Sequence, residues 1–172
     1  REVGYRRGEG IALNNLGGVY DDLGQKQKAL GYYEQALAIY REVGDRGGEG
    51  ATLNNLGEFN RTSGQKQEAL GYYEQALAIR REVGDRGGEG ITLHNIGTIY
   101  REQENYDKAL ACFLLARGIF EELQSPHRDD EQGWIDGLRK KVGEEQYSAL
   151  LAQVEPRARE IVEQALREGG ML

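Results

Sequence analysis

Apolar residues recur along this chain at steps of three and four, and the same pattern appears in three successive stretches. Leu13, Leu16, Tyr20 and Leu23 fall on one stripe and predict a helix over about 7–23, stopped by Gly24. Ala29, Leu30, Tyr33, Ala36, Leu37 and Tyr40 form a second stripe, predicting a helix over about 25–43 that Gly44 ends. Asp45 suits the N-cap of the next helix, because its short carboxylate can accept from an unpaired backbone N–H. The pair returns over roughly 46–63 with 65–83, and again over 86–103 with 105–123. No strand-like alternation interrupts it, so the predicted class is all-α.

The recurrence is nearly literal. The stretch from Gly24 to Gly50 reappears from Gly64 to Gly90, with changes only at Lys28/Glu68 and Tyr40/Arg80. Gly10, Gly50 and Gly90 align, as do Gly17, Gly57 and Gly97, and Ala29, Ala69 and Ala109, a period of 40 residues. One such unit is too small to bury its own apolar face, so neighbours must stack. A shorter echo opens the chain; residues 1–4 resemble the end of a preceding repeat, and the expectation is a piece of a longer protein. Each GDRGGEG segment places several glycines at a helix start, where each costs about 1 kcal/mol relative to Ala. Close helix approach and flexibility between repeats both account for that.

After residue 123 the pattern changes. Residues 124–127 read as a turn, and 129–142 as a helix with Trp134, Ile135, Leu138 and Val142 on one face. Gly143 breaks it; a helix over 144–154 follows, with Tyr147, Leu150, Leu151 and Val154. Pro156 suits a first helical position. The last helix carries Ala158, Ile161, Val162, Ala165 and Leu166 before Gly169 and Gly170. Ala149-Leu150 falls in register with Ala109-Leu110, by a worn fourth repeat or by chance. A stack of repeats needs an end with a polar outer face, so this tail reads as a cap, with a dedicated partner site as the alternative. The expected organisation is an array over 1–123, with repeats at about 5–44, 45–84 and 85–123, then a helical C-terminal cap over 124–172.

The motif Leu13-x-x-Leu16-Gly17-x-x-Tyr20 followed by Ala29, Tyr33 and Ala36 resembles the tetratricopeptide (TPR) repeat, and so does Leu93-x-x-Ile96-Gly97-x-x-Tyr100 followed by Ala109, Phe113 and Ala116. The long unit with REVGDR and GEG is similar to those of Pins/LGN scaffolds and of TPR arrays in bacterial STAND-type signalling proteins. The resemblance covers 1–123 and implies a right-handed α-solenoid of three helix pairs whose concave groove holds extended peptides. Two departures stand out. The second copy has Asn60 at the Tyr position, with Phe59 one step earlier, which weakens an inter-helix contact or rotates the helix. Where Pins/LGN units carry a ligand-contacting Asn, this chain has Gly18, Glu58 and Thr98, so that contact does not carry over.

Composition narrows the partners. Charged residues make up 30% of the chain and the net charge is −7, which argues against nucleic acid, whose affinity comes from neutralised phosphates. The basic run Arg139, Lys140, Lys141 reads as a solvated helix end. Cys112, the only cysteine, makes no internal disulfide, and this fits a reducing, cytoplasmic compartment. No apolar run approaches the roughly 18 residues that span a bilayer, and no signal peptide is visible.

A polar ladder offers the best candidate site. Asn14 and Asn15, Asn54 and Asn55, and His94 and Asn95 flank the apolar positions of successive first helices, facing the groove that the resemblance implies. An Asn amide both donates and accepts, so one rung per repeat suits a peptide backbone. Asn pairs that bond between neighbouring helices and order the stack are the other reading. Arg61 and Arg101 occupy equivalent positions, placed to grip a carboxylate or simply solvated, and Asp21 and Asp22 pose the same choice for a basic residue. Nothing points to catalysis. No cysteine–histidine cluster has metal spacing, and no cofactor is implied. Cys112 sits beside the core position Phe113, and GDRGGEG lacks the lysine and hydroxyl of a phosphate loop. The expected function is a protein-interaction module that binds an extended peptide. The alternative is a spacer or self-association domain of a multidomain signalling protein, joined through its repeat ends.

Overall fold

The repeated stripes become helices packed as antiparallel pairs. The structure, a computed structural model, describes residues 2–168, where every regular element is helical. The helices fall into two compact units, Arg1–Asp85 and Arg86–Leu172.

The first unit holds α1 (Glu2–Asp22), α2 (Lys26–Val43), α3 (Arg46–Thr62) and α4 (Lys66–Glu82). The short turns within each pair make its helices antiparallel, and ion pairs bridge the open ends. Arg6 at the start of α1 meets Glu42 at the end of α2 at 2.5 Å, and Arg46 meets Glu82 in the same way. Pair then packs on pair, α2 against α3, the solenoid architecture that the period implies. Ala29, Tyr33 and Leu37 of α2 share one buried cluster with Leu53, Leu56 and Phe59 of α3 and Ala76 and Ile79 of α4.

The recurrence of glycines at equivalent repeat positions has a packing cause. A Cβ on Gly17 would lie 2.6 Å from the Tyr33 ring, and one on Gly57 2.5 Å from Tyr73. Gly48 lies equally close to Tyr40, whereas Gly47 has room for a methyl, so the GDRGGEG glycines serve close approach at some positions and not at others. Asp45 caps α3 as expected, its carboxylate accepting from Gly48 N at 3.0 Å. The first copy has Tyr5 at the position of Asp45, so no cap forms, and α1 runs back through the segment expected to belong to a preceding repeat. Arg1 itself lies outside the described residues. The Asn60 departure is absorbed locally: Asn60 is buried, and its amide donates to the Leu56 carbonyl at 2.7 Å.

The second unit holds α5 (Arg86–Glu102), α6 (Tyr106–Glu122), α7 (His127–Val142), α8 (Glu144–Val154), a 3-10 turn (Glu155–Arg157) and α9 (Ala158–Glu168). The pair α5–α6 repeats the earlier plan: Arg86 meets Glu122 at 2.9 Å, and Gly97 lies under Phe113 and Cys112. Two turns that use a left-handed glycine in the first unit, Gly64 and Gly84, use Glu104 (φ 59) and Gln124 (φ 51) here, keeping the turn without the glycine. Pro126 precedes α7, which begins at His127, two residues earlier than the stripe predicts. Helices α7 and α9 both pack on α6, with Lys108 tied to Glu168 at 3.0 Å. Pro156 lies in the 3-10 turn. Gly169 and Gly170, expected to end the last helix, fall outside the described residues. Cys112 is fully buried and free, and burial pushes its thiol pKa well up.

Candidate functional site

The ladder positions lie on the first helix of each pair. In the first unit, Asn14, Asn54 and Asn55 are half-buried and Asn15 is exposed. Asn55 Nδ2 donates to Asn14 Oδ1 at 3.1 Å, joining α3 to α1. The two bonded residues occupy neighbouring, not equivalent, positions of the repeat, so the second amide of α3 reaches the first amide of α1, the first helix of the preceding pair.

Arg61 is held beside the ladder. Its guanidinium donates to Glu58 at 2.7 and 2.9 Å, and Glu58 in turn accepts from the Tyr73 hydroxyl at 2.9 Å. Glu58 thus occupies the departed scaffold position and uses it to fix one Arg and one buried ring. Burial, with Glu58 alongside, pushes the Tyr73 phenol pKa well up. At the far end of α1, Asp21 pairs with Lys26 at 2.5 Å. Glu49 gathers Arg41 of α2 and Arg46 of α3 at 2.8 and 2.5 Å, so its buried carboxylate is fully matched by cations.

In the second unit the ladder residue His94 opens onto a cleft of about 860 Å³ between α5, α6 and α7. Asn95 follows it on α5, half-buried. Aromatic residues build the wall. His94 meets Trp134 edge-on at 5.2 Å between ring centroids and lies 5.8 Å from Phe113, and Phe113 stacks on Trp134 at 6.1 Å. The Arg101 guanidinium lies over the Trp134 ring, 4.1 Å from its centroid, a favourable cation–π placement. The two arginines of equivalent position therefore have different neighbours: Glu58 for Arg61 and Trp134 for Arg101.

Glu131 is the residue that the sequence reading passed over. It lines the cleft, yet it is only 3% exposed. Its Oε1 lies 2.6 Å from His94 Nδ1. The approach is off the line of a ring N–H, so the two groups make a close polar contact without an aligned hydrogen bond, and Oε2 has no hydrogen-bond partner. A buried carboxylate oxygen left this way is costly. The signal was present in the stripe of α7: residue 131 lies three and four steps before Trp134 and Ile135, which puts a carboxylate on an apolar face. On the rim, Asp129 pairs with Arg128 at 2.9 Å and Asp130 with His127 at 3.1 Å, all four side chains well exposed.

Among the described residues no group of His, Cys, Asp and Glu is placed to hold a metal ion. No helix among them is long and apolar enough to cross a membrane. The sequence model of the tetratricopeptide repeat family matches residues 1–42 and 48–122. Comparison with curated proteins gives no match.

Proposed function

We propose, on the premise that this chain belongs to the tetratricopeptide repeat family, that it is a protein-interaction module that takes an extended partner segment along the first helices of its pairs. Repeats of this family generally mediate protein–protein contacts, and the family fold is typically non-enzymatic. The observation that carries the finer reading is His94: it holds the repeat position of Asn14 and Asn54, and it lines the open cleft of the second unit. In this reading Asn14, Asn15, Asn54, Asn55, His94 and Asn95 meet the partner backbone, with Arg61 and Arg101 beside them. The cytoplasm, within a multidomain signalling protein of the Pins/LGN or STAND type, is the setting we assign it, with residues 124–172 as the cap of the array.

The test starts from a displayed random-peptide library panned against the chain. The tightest peptide is then titrated against the Asn15→Ala/Asn55→Ala/Asn95→Ala variant. A net hydrogen bond contributes roughly 0.5–1.5 kcal/mol, so one substitution weakens binding by about tenfold or less and three nearly abolish it. Asn55→Ala also removes the partner of Asn14, so exposed Asn15 is the cleaner single site. Unchanged affinity in a triple variant that still melts like the parent refutes the reading.

A second reading has its own observation. On α1, Leu16 is 39% and Val19 53% exposed, whereas the equivalent Leu56 and Phe59 of α3 are 1% and 6% exposed under the preceding pair. This apolar face suits self-association of two chains. Light scattering across a concentration series decides it, since a monomer at every concentration excludes that role.

A further inference from the structure

The cleft of the second unit has a chemistry more specific than peptide binding in general. Its floor is Glu131, buried, with Oε1 against His94 and Oε2 unpartnered. A carboxylate in that state favours an incoming N–H donor that carries positive charge, since charged hydrogen bonds are the stronger ones. The walls suit the rest of such a group. Half-buried Trp134 offers ring surface for an aliphatic stem, and it already accepts the Arg101 guanidinium at 4.1 Å. Charge follows the same direction. Three carboxylates, Asp129, Asp130 and Glu131, line the cleft against one permanent cation, Arg101, and two imidazoles, His94 and His127. The rim pairs Asp129–Arg128 and Asp130–His127 are exposed, so their carboxylates keep lone pairs open to a visitor.

We propose that this cleft is a receptor for one cationic side chain, a lysine or arginine carried by the partner segment, with Glu131 as its counter-charge and Trp134 as its platform. The inference rests on the reading that this face binds a partner segment. It adds to that reading a residue preference that the Asn ladder, which meets only backbone, does not supply. Glu131 and Trp134 are binding residues here, and Asp129 and Asp130 steer the cation by charge.

Trp134 is the only tryptophan of the chain, so its fluorescence and its indole N–H resonance report on the cleft directly. The experiment titrates the full chain with four small probes: the Nα-acetyl methylamides of lysine, arginine, norleucine and glutamate. Lysine or arginine amide produces a saturable shift of the Trp134 signals at millimolar concentration, weakened by added salt, and the stronger of the two names the cation. Norleucine amide, which keeps the stem and lacks the charge, binds about tenfold more weakly or worse. The Glu131→Gln variant loses the preference for the cation over norleucine. Should that variant misfold, Asp129→Asn/Asp130→Asn replaces it, because both side chains are exposed; the cation then binds several-fold more weakly and with a shallower salt dependence.

Equal binding of lysine and norleucine amides overturns the proposal, and so does cation binding that is unchanged in Glu131→Gln or in the double rim variant. A library peptide that binds the parent and Glu131→Gln chains equally, with no basic residue selected, overturns this inference alone and leaves the ladder reading standing. Loss of that peptide in the Asn variant, with the lysine amide still bound, keeps the two apart in the other direction.

Discussion

Replacing Gly57 by Ala pits two local effects of opposite sign against each other. Gly57 lies inside α3, and an alanine there adds about 1 kcal/mol of helix propensity. The same methyl would stand 2.5, 2.6 and 2.9 Å from three carbons of the Tyr73 ring. Comfortable carbon contacts are about 3.5–4.0 Å, so the ring must withdraw by roughly 1 Å. It has nowhere to go: Tyr73 is fully buried, and its hydroxyl is held by Glu58 at 2.9 Å. Overpacking of this kind costs about 1–3 kcal/mol. Gly57→Ala is therefore expected to destabilise the first unit by about 0–2 kcal/mol, the clash cancelling or outweighing the propensity. Gly31→Ala is the control. It lies in α2 with nothing within 4 Å of the added methyl, so it should stabilise by about 1 kcal/mol. Urea unfolding followed by far-UV circular dichroism measures both, and the variants should differ by the overpacking cost, about 1–3 kcal/mol. Adding Tyr73→Leu to Gly57→Ala should recover part of the loss, as coupled neighbours do. Equal stability of Gly57→Ala and Gly31→Ala would refute the close-approach account of the repeat glycine.

Two further outcomes follow from single side chains. Half-burial on α4 pushes the Glu74 carboxyl pKa up to about 7, above its ordinary value of 4.5, so ionising it opposes folding; the fold loses stability as pH rises from 4.5 through 7. Tm measured across that window should fall less steeply in Glu74→Gln than in the parent, and parallel curves would count against it. Glu104 holds a left-handed conformation that costs a non-glycine residue roughly 1–2 kcal/mol, and its counterpart in the previous repeat is Gly64. Glu104→Gly should raise the urea midpoint by an amount worth up to about 1 kcal/mol, less than the strain because glycine also gains freedom in the unfolded chain; an unchanged or lowered midpoint would mean that the turn is not strained.

Helix pairing was legible in the sequence because it is local chemistry repeated. The stripe of Ala29, Tyr33, Ala36 and Leu37 needs only the 3.6-residue turn to define a buried face, and Gly44 with Asp45 marks a stop and a start within two residues. The 40-residue period then dictates that such faces stack, and a TPR family match over residues 1–42 and 48–122 agrees. Even the exception at α1 follows from one letter, Tyr5 in place of the capping Asp. The ladder was legible as a row of positions, but its bonding was not. Nothing in the spacing of Asn14 and Asn55 says that these two amides, rather than equivalent ones, lie 3.1 Å apart; the stagger between α1 and α3 decides that. Glu58 likewise reads as a lost contact in sequence and becomes the anchor of Arg61 and Tyr73 once α4 is in place. The cleft depended most on tertiary structure. His94 lies in a repeat and Glu131 beyond the last, 37 positions later, and their meeting at 2.6 Å depends on α7 packing against the α5–α6 pair. Periodicity records which face of a helix is buried; which buried groups meet is set by how separate helices dock, and that docking leaves no regular mark along the chain.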